Sequence, residues 1–191
     1  MNNKELFLDE CRTNVKRAGI DKLLDWLENK SDFFTSPAST KYHGNYEGGL
    51  CEHSRNVFRE LRRFNDIYDL HYPIETLAIV GLLHDVCKAN FYKRGTRNVK
   101  DENGTWVTVD VWEIDDRLPL GHGEKSCIIL QKYIQLTMDE VLAIRWHMGA
   151  FDSAAKGGDY GLSKAQDMCK LVTLVSAADM IASSLFEEVK K

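Results

Sequence analysis

Several ionisable side chains in this sequence sit where helical periodicity asks for core residues. His53 follows Leu50 by three positions and precedes Val57 by four, so it shares their side of a helix. His84 and Asp85 close the apolar run Leu77 to Leu83, and Asp179 lies four residues beyond Val175, in register with Leu171. An unpaired carboxylate on a buried face costs several kcal/mol, so it must be protonated, paired with a cation or bound to a metal. Taken singly, each has a plain structural reading. A lone histidine on an apolar face is more often a satisfied core residue than a ligand, and a lone aspartate pairs with lysine or arginine as readily as with a metal. The set shifts that balance. With His122 and His147, four imidazoles and two carboxylates are spread over five segments and converge only if the helices form one bundle. Imidazole plus carboxylate, without cysteine, suits Mn, Fe, Co, Ni or Zn better than Ca, with Mg admissible, and the set is large enough for two divalent ions.

The elements that must position these residues read mainly as helix. Apolar spacing predicts helices over about 5–17 and 21–28, then a loop over 31–49 rich in Gly, Pro and small polar residues, then a long helix over about 50–67. Pro73 suits the start of the helix that carries Leu77, Val80 and His84. Beyond Asn90 the pattern alternates, and Asn103-Gly104 is a hairpin turn signal, so an inserted β-hairpin is expected around residues 92–114. Helices resume near His122. Thr137 with Glu140, and Ser163 with Gln166, each match a capping box, and a last helix is expected over about Ser163 to Phe186 with the stripe Leu171, Val175, Ala178, Ala182 and Leu185.

Composition is that of an ordinary globular chain, 43% hydrophobic and 28% charged. The net charge of −4 gives no whole-surface attraction to nucleic acid or an anionic membrane, so phosphate binding must come from a local patch or a metal. No extended nucleic-acid surface, signal peptide or membrane span is expected. The five cysteines are scattered without a CxxC pair, which reads as reduced thiols and a cytoplasmic location. A single domain over residues 1–191 is expected, with the ligand-bearing core at about 37–186 and the N-terminal helices, residues 1–30, packed on it.

The order His53, His84-Asp85, Asp179 resembles the defining pattern of the HD-domain superfamily of metal-dependent phosphohydrolases. Gly48 to Ser54 resembles its GGLxEHS segment, and Leu82 to Lys88 its LLHDxxK motif. Gly121-His122-Gly123 and Trp146-His147-Met148-Gly149 resemble the segments that carry the further histidines of the two-metal branch, and Ala178-Asp179 resembles the final helix. The stretch Ser36 to Ser54 looks most like the HD domain of bacterial 3′→5′ exoribonucleases. The likeness spans about Pro37 to Asp179. Unlike those exonucleases it is not expected to carry an OB domain; it departs from the cyclic-di-GMP branch in lacking a Gly-Tyr-Pro motif, and from many relatives in having Met148 where a second adjacent histidine would stand.

The resemblance implies a helical bundle in which Asp85 bridges two metals. His53, His84 and Asp179 complete one site, and His122 and His147 the other. The implied activity is hydrolysis of a nucleotide-type phosphodiester or phosphate ester by a hydroxide activated between the metals. Asp85 and Lys88 are the expected catalytic residues, with Lys88, His43, Lys93, Arg97 and Arg145 expected on the substrate. Arg94 and Lys100 share the cationic strand, Tyr42, Trp146 and Phe151 are candidates for stacking on a base, and Glu124 and Lys125 for supporting the ligands. Small nucleotides or short oligonucleotides fit an acidic chain better than long RNA. The same ligand list also resembles that of mixed-valent di-iron oxygenases of the superfamily. A non-catalytic, metal-stabilised nucleotide-binding module is the third reading.

Overall fold

The computed structural model describes residues 1–189. Helices α1 (Asn3–Asn14) and α2 (Ile20–Asn29) lead into an irregular loop. Four further helices carry the centre of the bundle: α3 (Gly49–Ile67), α4 (Ile74–Leu83), α5 (His122–Gln131) and α6 (Met138–Arg145). A short helix α7 (Ser153–Lys156) and α8 (Gly161–Met168) precede α9 (Lys170–Ile181), which runs into a π turn over Ala182–Phe186. One apolar cluster joins Phe7, Leu8 and Leu27 of the N-terminal helices to Leu50, Leu61, Leu77, Leu82, Ile144, Leu171 and Val175, so residues 1–30 pack on the bundle. Among the described residues no single helix is long and apolar enough to cross a membrane.

Helices α3 and α4 approach closely because Gly81 has no side chain. A Cβ there would lie 2.5 Å from the Phe58 Cα and 2.8 Å from its Cβ, so the crossing needs glycine. Helix α4 is buried on all sides from Thr76 to Leu83, which explains why its sequence shows a continuous apolar run rather than a stripe. Arg17, after α1, ties three segments together: it donates to Glu140 at 2.5 Å and 3.1 Å and to Glu75 at 3.4 Å. Glu140 also accepts from Thr76 Oγ1 at 3.0 Å, and with Thr137 it forms the expected capping box of α6.

The hairpin is present as antiparallel strands β1 (Tyr92–Lys100) and β2 (Trp106–Ile114). Its connection is a five-residue loop, 101–105, rather than a two-residue Asn-Gly turn. Asp101 Oδ1 accepts from the backbone N–H of Asn103 and Thr105, and Gly104 takes the left-handed conformation at φ +79°. Most of the ribbon is exposed.

The final helix differs from expectation. The chain is extended at Cys169 (φ −142°, ψ 109°), and α8 and α9 meet at a bend of 111°. Ser163 does not cap a helix, because α8 starts two residues earlier and Ser163 Oγ donates to the Tyr160 carbonyl. The break buries Ala165 on one side and Leu171 on the other, a tertiary demand that leaves no Gly or Pro in the sequence. Leu185, the last member of the expected stripe, is 71% exposed, because the π turn rotates it out of register.

Candidate metal centre

His53 sits one turn into α3, His84 and Asp85 just past the end of α4, His147 just past the end of α6, and Asp179 near the end of α9. Their donor atoms converge. His53 Nε2 is 3.3 Å from His84 Nε2, 3.2 Å from Asp179 Oδ1 and 3.6 Å from Asp85 Oδ2. His84 Nε2 is 3.6 Å from Asp85 Oδ2, and His147 Nε2 is 3.4 Å from Asp85 Oδ1. The two carboxylate oxygens of Asp85 therefore face different donor groups: Oδ2 towards His53 and His84, Oδ1 towards His147.

The imidazoles are pre-set for ligation. His84 Nδ1 lies 2.9 Å from the Gly81 carbonyl and His147 Nδ1 lies 2.8 Å from the Ile144 carbonyl. A carbonyl can only accept, so Nδ1 carries the proton in both rings and the Nε2 lone pair points into the cluster. His53 Nδ1 is 2.9 Å from Glu187 Oε1, so Nδ1 carries a proton there too, and a metal would displace the proton on Nε2. His147 Nε2 is buried, with no hydrogen-bond partner among the described residues; its nearest anion is Asp85 Oδ1, 3.4 Å away.

These spacings fit a divalent transition metal. Bonds of about 2.1 Å to nitrogen or oxygen put neighbouring ligands about 3.0–3.4 Å apart in octahedral or tetrahedral geometry. The donors His53, His84 and Asp179, and separately His84, Asp85 and His147, form groups whose atoms lie within 4.8 Å of one another, close enough to contract onto an ion.

Electrostatics agree with a site built to hold positive charge. Burial opposes ionisation of Asp85, but Lys88 and the neighbouring His84 hold its carboxyl well below the usual range. Burial likewise opposes the Asp179 charge, and the His53 hydrogen bond brings its pKa down. Burial alone would lower His53; hydrogen bonds to Asp179 and Glu187 instead raise it to about 10. Burial pushes His84 down to about 4, so that ring is neutral at pH 7. Burial also lowers His147, but the Asp85 carboxylate beside its Nε2 outweighs it and the net shift is upward.

His122 stands slightly apart. It is only partly buried, and burial lowers its pKa. Its Nδ1 is 3.5 Å from Cys87 Sγ, and its donor groups with Asp85 and Cys87, not with His147. Cys87 had no place in the sequence-derived set, because a single buried cysteine carries no spacing signal. The five cysteines are buried and form no disulfide.

Lys88, in a 3-10 turn (Val86–Lys88), places Nζ 2.7 Å from Asp85 Oδ2. His43 lies beside the ligands, its ring centroid 5.1 Å from that of His53, and its buried Nε2 has no hydrogen-bond partner among the described residues. Burial, then the His53 charge, lowers its pKa. Arg145 is not directed at the cluster: it binds Glu124 at 2.5 Å and Asp152 at 2.9 Å and stacks 3.9 Å over Trp146. Trp146 is buried core, whereas Tyr42 and Phe151 are exposed. Lys125 is bound to Asp116 at 2.6 Å. On the hairpin, Lys93 is 3.9 Å from Glu113, Arg94 lies 3.6 Å from Glu47 and 3.7 Å over Trp112, and Arg97 is exposed.

Glu187 was missed by sequence reasoning. Its side chain is fully buried against His53 and also accepts from Asn56 Nδ2 at 3.2 Å. An open cleft of about 470 Å³ leads away from His122, lined by Pro119, Leu120, Gly121, His122, Met148, Phe151, Asp152 and Ser153.

The His, His-Asp, Asp set thus converges on one buried cluster that could hold a divalent metal. The chain belongs to the HD-domain family, whose sequence profile matches residues 50–183. Over 84 residues it is 33% identical to dihydroneopterin 2′,3′-cyclic phosphate phosphodiesterase of Methanocaldococcus jannaschii, a match that covers 42% of this chain and 31% of that enzyme. The similarity thus spans under a third of the relative's length. No solved structure gives a significant match to the chain.

Proposed function

We propose that this chain is a metal-dependent phosphodiesterase that hydrolyses a small nucleotide-type phosphodiester, cyclic or short and linear. The observation that carries the proposal is the splay of the Asp85 carboxylate, with Oδ2 facing His53 and His84 and Oδ1 facing His147. That geometry suits a pair of divalent ions, with His53, His84 and Asp179 to hold one and His147 the other; His122, which groups with Asp85 and Cys87 instead, would join the second by a shift of its ring. Bound there, such ions neutralise charge on the phosphate oxygens and provide a water-derived nucleophile at neutral pH. Family membership and the phosphodiesterase relative support the same class of reaction.

The protein's own groups bind and orient the substrate. Lys88 is a buried fixed cation against Asp85, placed to donate to a non-bridging phosphate oxygen once metals satisfy that carboxylate. His43 offers a neutral ring beside His53 for a hydrogen bond to an ester oxygen. Leu120, Met148 and Phe151 give the cleft apolar walls for a planar ring attached to the phosphate. Lys93 and Arg97 lie along the hairpin, where they can meet further phosphates of a longer substrate. Arg145 leaves the substrate-binding set, because two carboxylates already occupy its guanidinium. The relative's name adds 2′,3′-cyclic phosphates to the substrates worth testing, and short oligonucleotides complete the set.

Metal-loaded protein is expected to release nitrophenol from bis-p-nitrophenyl phosphate and to hydrolyse members of a panel of cyclic nucleotides and dinucleotides. Chelation should stop both. Absence of turnover on the whole panel, in protein shown to hold metal, would overturn the proposal.

A further inference from the structure

The three buried imidazoles do not fix their tautomers in the same way, and the difference exposes a role for the C-terminal segment. His84 and His147 follow the last turns of α4 and α6, where helix carbonyls have no intrahelical partner. Each takes such a carbonyl, three residues back, for its Nδ1–H. His53 has no such option. It lies inside α3, which continues to Ile67, so the carbonyls behind it are used by the helix. Its Nδ1–H needs a side-chain acceptor from elsewhere in the chain.

Glu187 fills that need. Its carboxylate oxygens lie 2.9 and 3.2 Å from His53 Nδ1, and Asn56, on the same helix as His53, donates to Glu187 Oε1. The carboxylate arrives there through an irregular path. Eight residues of regular helix after Asp179 would carry the chain about 12 Å onward along the axis. The π turn Ala182–Phe186 and the extended exit at Glu187 (φ −110°, ψ 131°) fold it back instead. Two contacts hold the segment: Gly44 N–H donates to the Glu188 carbonyl at 3.0 Å, and Arg59 stacks 4.9 Å over Phe186. Asp179 and Glu187, from one continuous stretch, thus bracket both nitrogens of the His53 ring.

We infer that Glu187 is the positioning residue for metal ligand His53, and that the segment from Ala182 to Glu188 is a strap on which assembly of the metal site depends. This rests on the metal-site reading above. Glu187 holds the Nδ1–H tautomer and the ring plane, and it raises the basicity of Nε2. Removing such an outer partner characteristically weakens metal affinity by about 10–100-fold.

The test is Mn²⁺ or Zn²⁺ titration by calorimetry on wild type, Glu187→Gln and Glu187→Ala, with circular dichroism as a check on fold. Long-range ¹H–¹⁵N spectra of the zinc-loaded proteins read the His53 tautomer directly. Glu187→Ala should lose about 10–100-fold in affinity for the His53 site. Glu187→Gln, which keeps an acceptor oxygen without the charge and is close to isosteric, should fall between it and wild type and keep the Nδ1–H tautomer. Wild-type affinity in Glu187→Ala would overturn the inference and leave the metal-site reading standing. Failure of wild type to bind either metal would overturn both. If Glu187→Ala does not fold, Glu187→Gln decides: a weakened affinity in a folded protein supports the role, and an unchanged one overturns it.

Discussion

His84 is the residue whose protonation the fold resists most plainly. Burial holds it neutral, with a pKa of about 4 against an ordinary value of 6.5. A folded-state pKa that is depressed contributes stability that is present above the unfolded value and is lost as pH falls. The metal-free protein should therefore lose stability between about pH 6.5 and pH 4, measured as a falling melting temperature, and His84→Gln should flatten that slope. In the folded protein protons compete for His53 Nε2 at every pH below about 10 and for His84 Nε2 only as pH nears 4, so metal affinity should fall as pH is lowered from 10. His53 has the opposite sign in the metal-free protein: its contribution is complete below pH 6.5 and disappears as pH rises through about 10. His53, His84 and Asp179 were legible in the sequence because each breaks an apolar pattern that the rest of its helix keeps. Glu187 was not, since its approach to His53 depends on a π turn that has no marker in the residue pattern. Arg145, expected on the substrate, is held by Glu124 and Asp152, partners that no spacing in the sequence marks.

At the scale of elements, the position of His84 relative to His53 is set by how closely α4 lies on α3. Gly81→Ala would drive a Cβ into the Phe58 backbone, and overpacking of that kind costs about 1–3 kcal/mol. A drop in urea midpoint together with weaker metal affinity is the expected result; a stable variant with normal affinity would show that the helices part without disturbing the ligands. Leu61→Ala, fully buried on α3, should cost about 2–5 kcal/mol and leave the ligand order unchanged. The helices up to α6 were readable from caps and periodicity: Thr137 and Glu140 do form their box. The break at Cys169 was not, because Leu171, Val175 and Ala178 keep a helical stripe through α9 and nothing local opposes extending it back to Ser163. The hairpin announced itself by alternation, but its turn type did not, since Asp101 rather than Asn103-Gly104 organises the loop.

At the scale of the molecule, the N-terminal helices are held to the bundle by apolar packing and by Arg17 on the buried Glu140. Arg17→Ala leaves that carboxylate unpaired in the interior, for which about 3–5 kcal/mol is the usual penalty; chemical denaturation reads it, and a change under about 1 kcal/mol would mean that Thr76 and the α6 cap suffice. The exposed hairpin should matter to substrate rather than to fold. Lys93→Ala and Arg97→Ala are expected to raise KM with little change in kcat on a dinucleotide, the signature of lost uniform binding. The central claim is that Asp85 organises a metal-dependent phosphodiesterase. It is tested most directly by comparing metal-loaded wild type with Asp85→Ala on bis-p-nitrophenyl phosphate and 2′,3′-cyclic nucleotides, with circular dichroism confirming the fold of both. Turnover in wild type that requires metal and disappears in folded Asp85→Ala is the predicted result; wild type that holds metal yet turns over none of these substrates, or Asp85→Ala that keeps full activity, would contradict it.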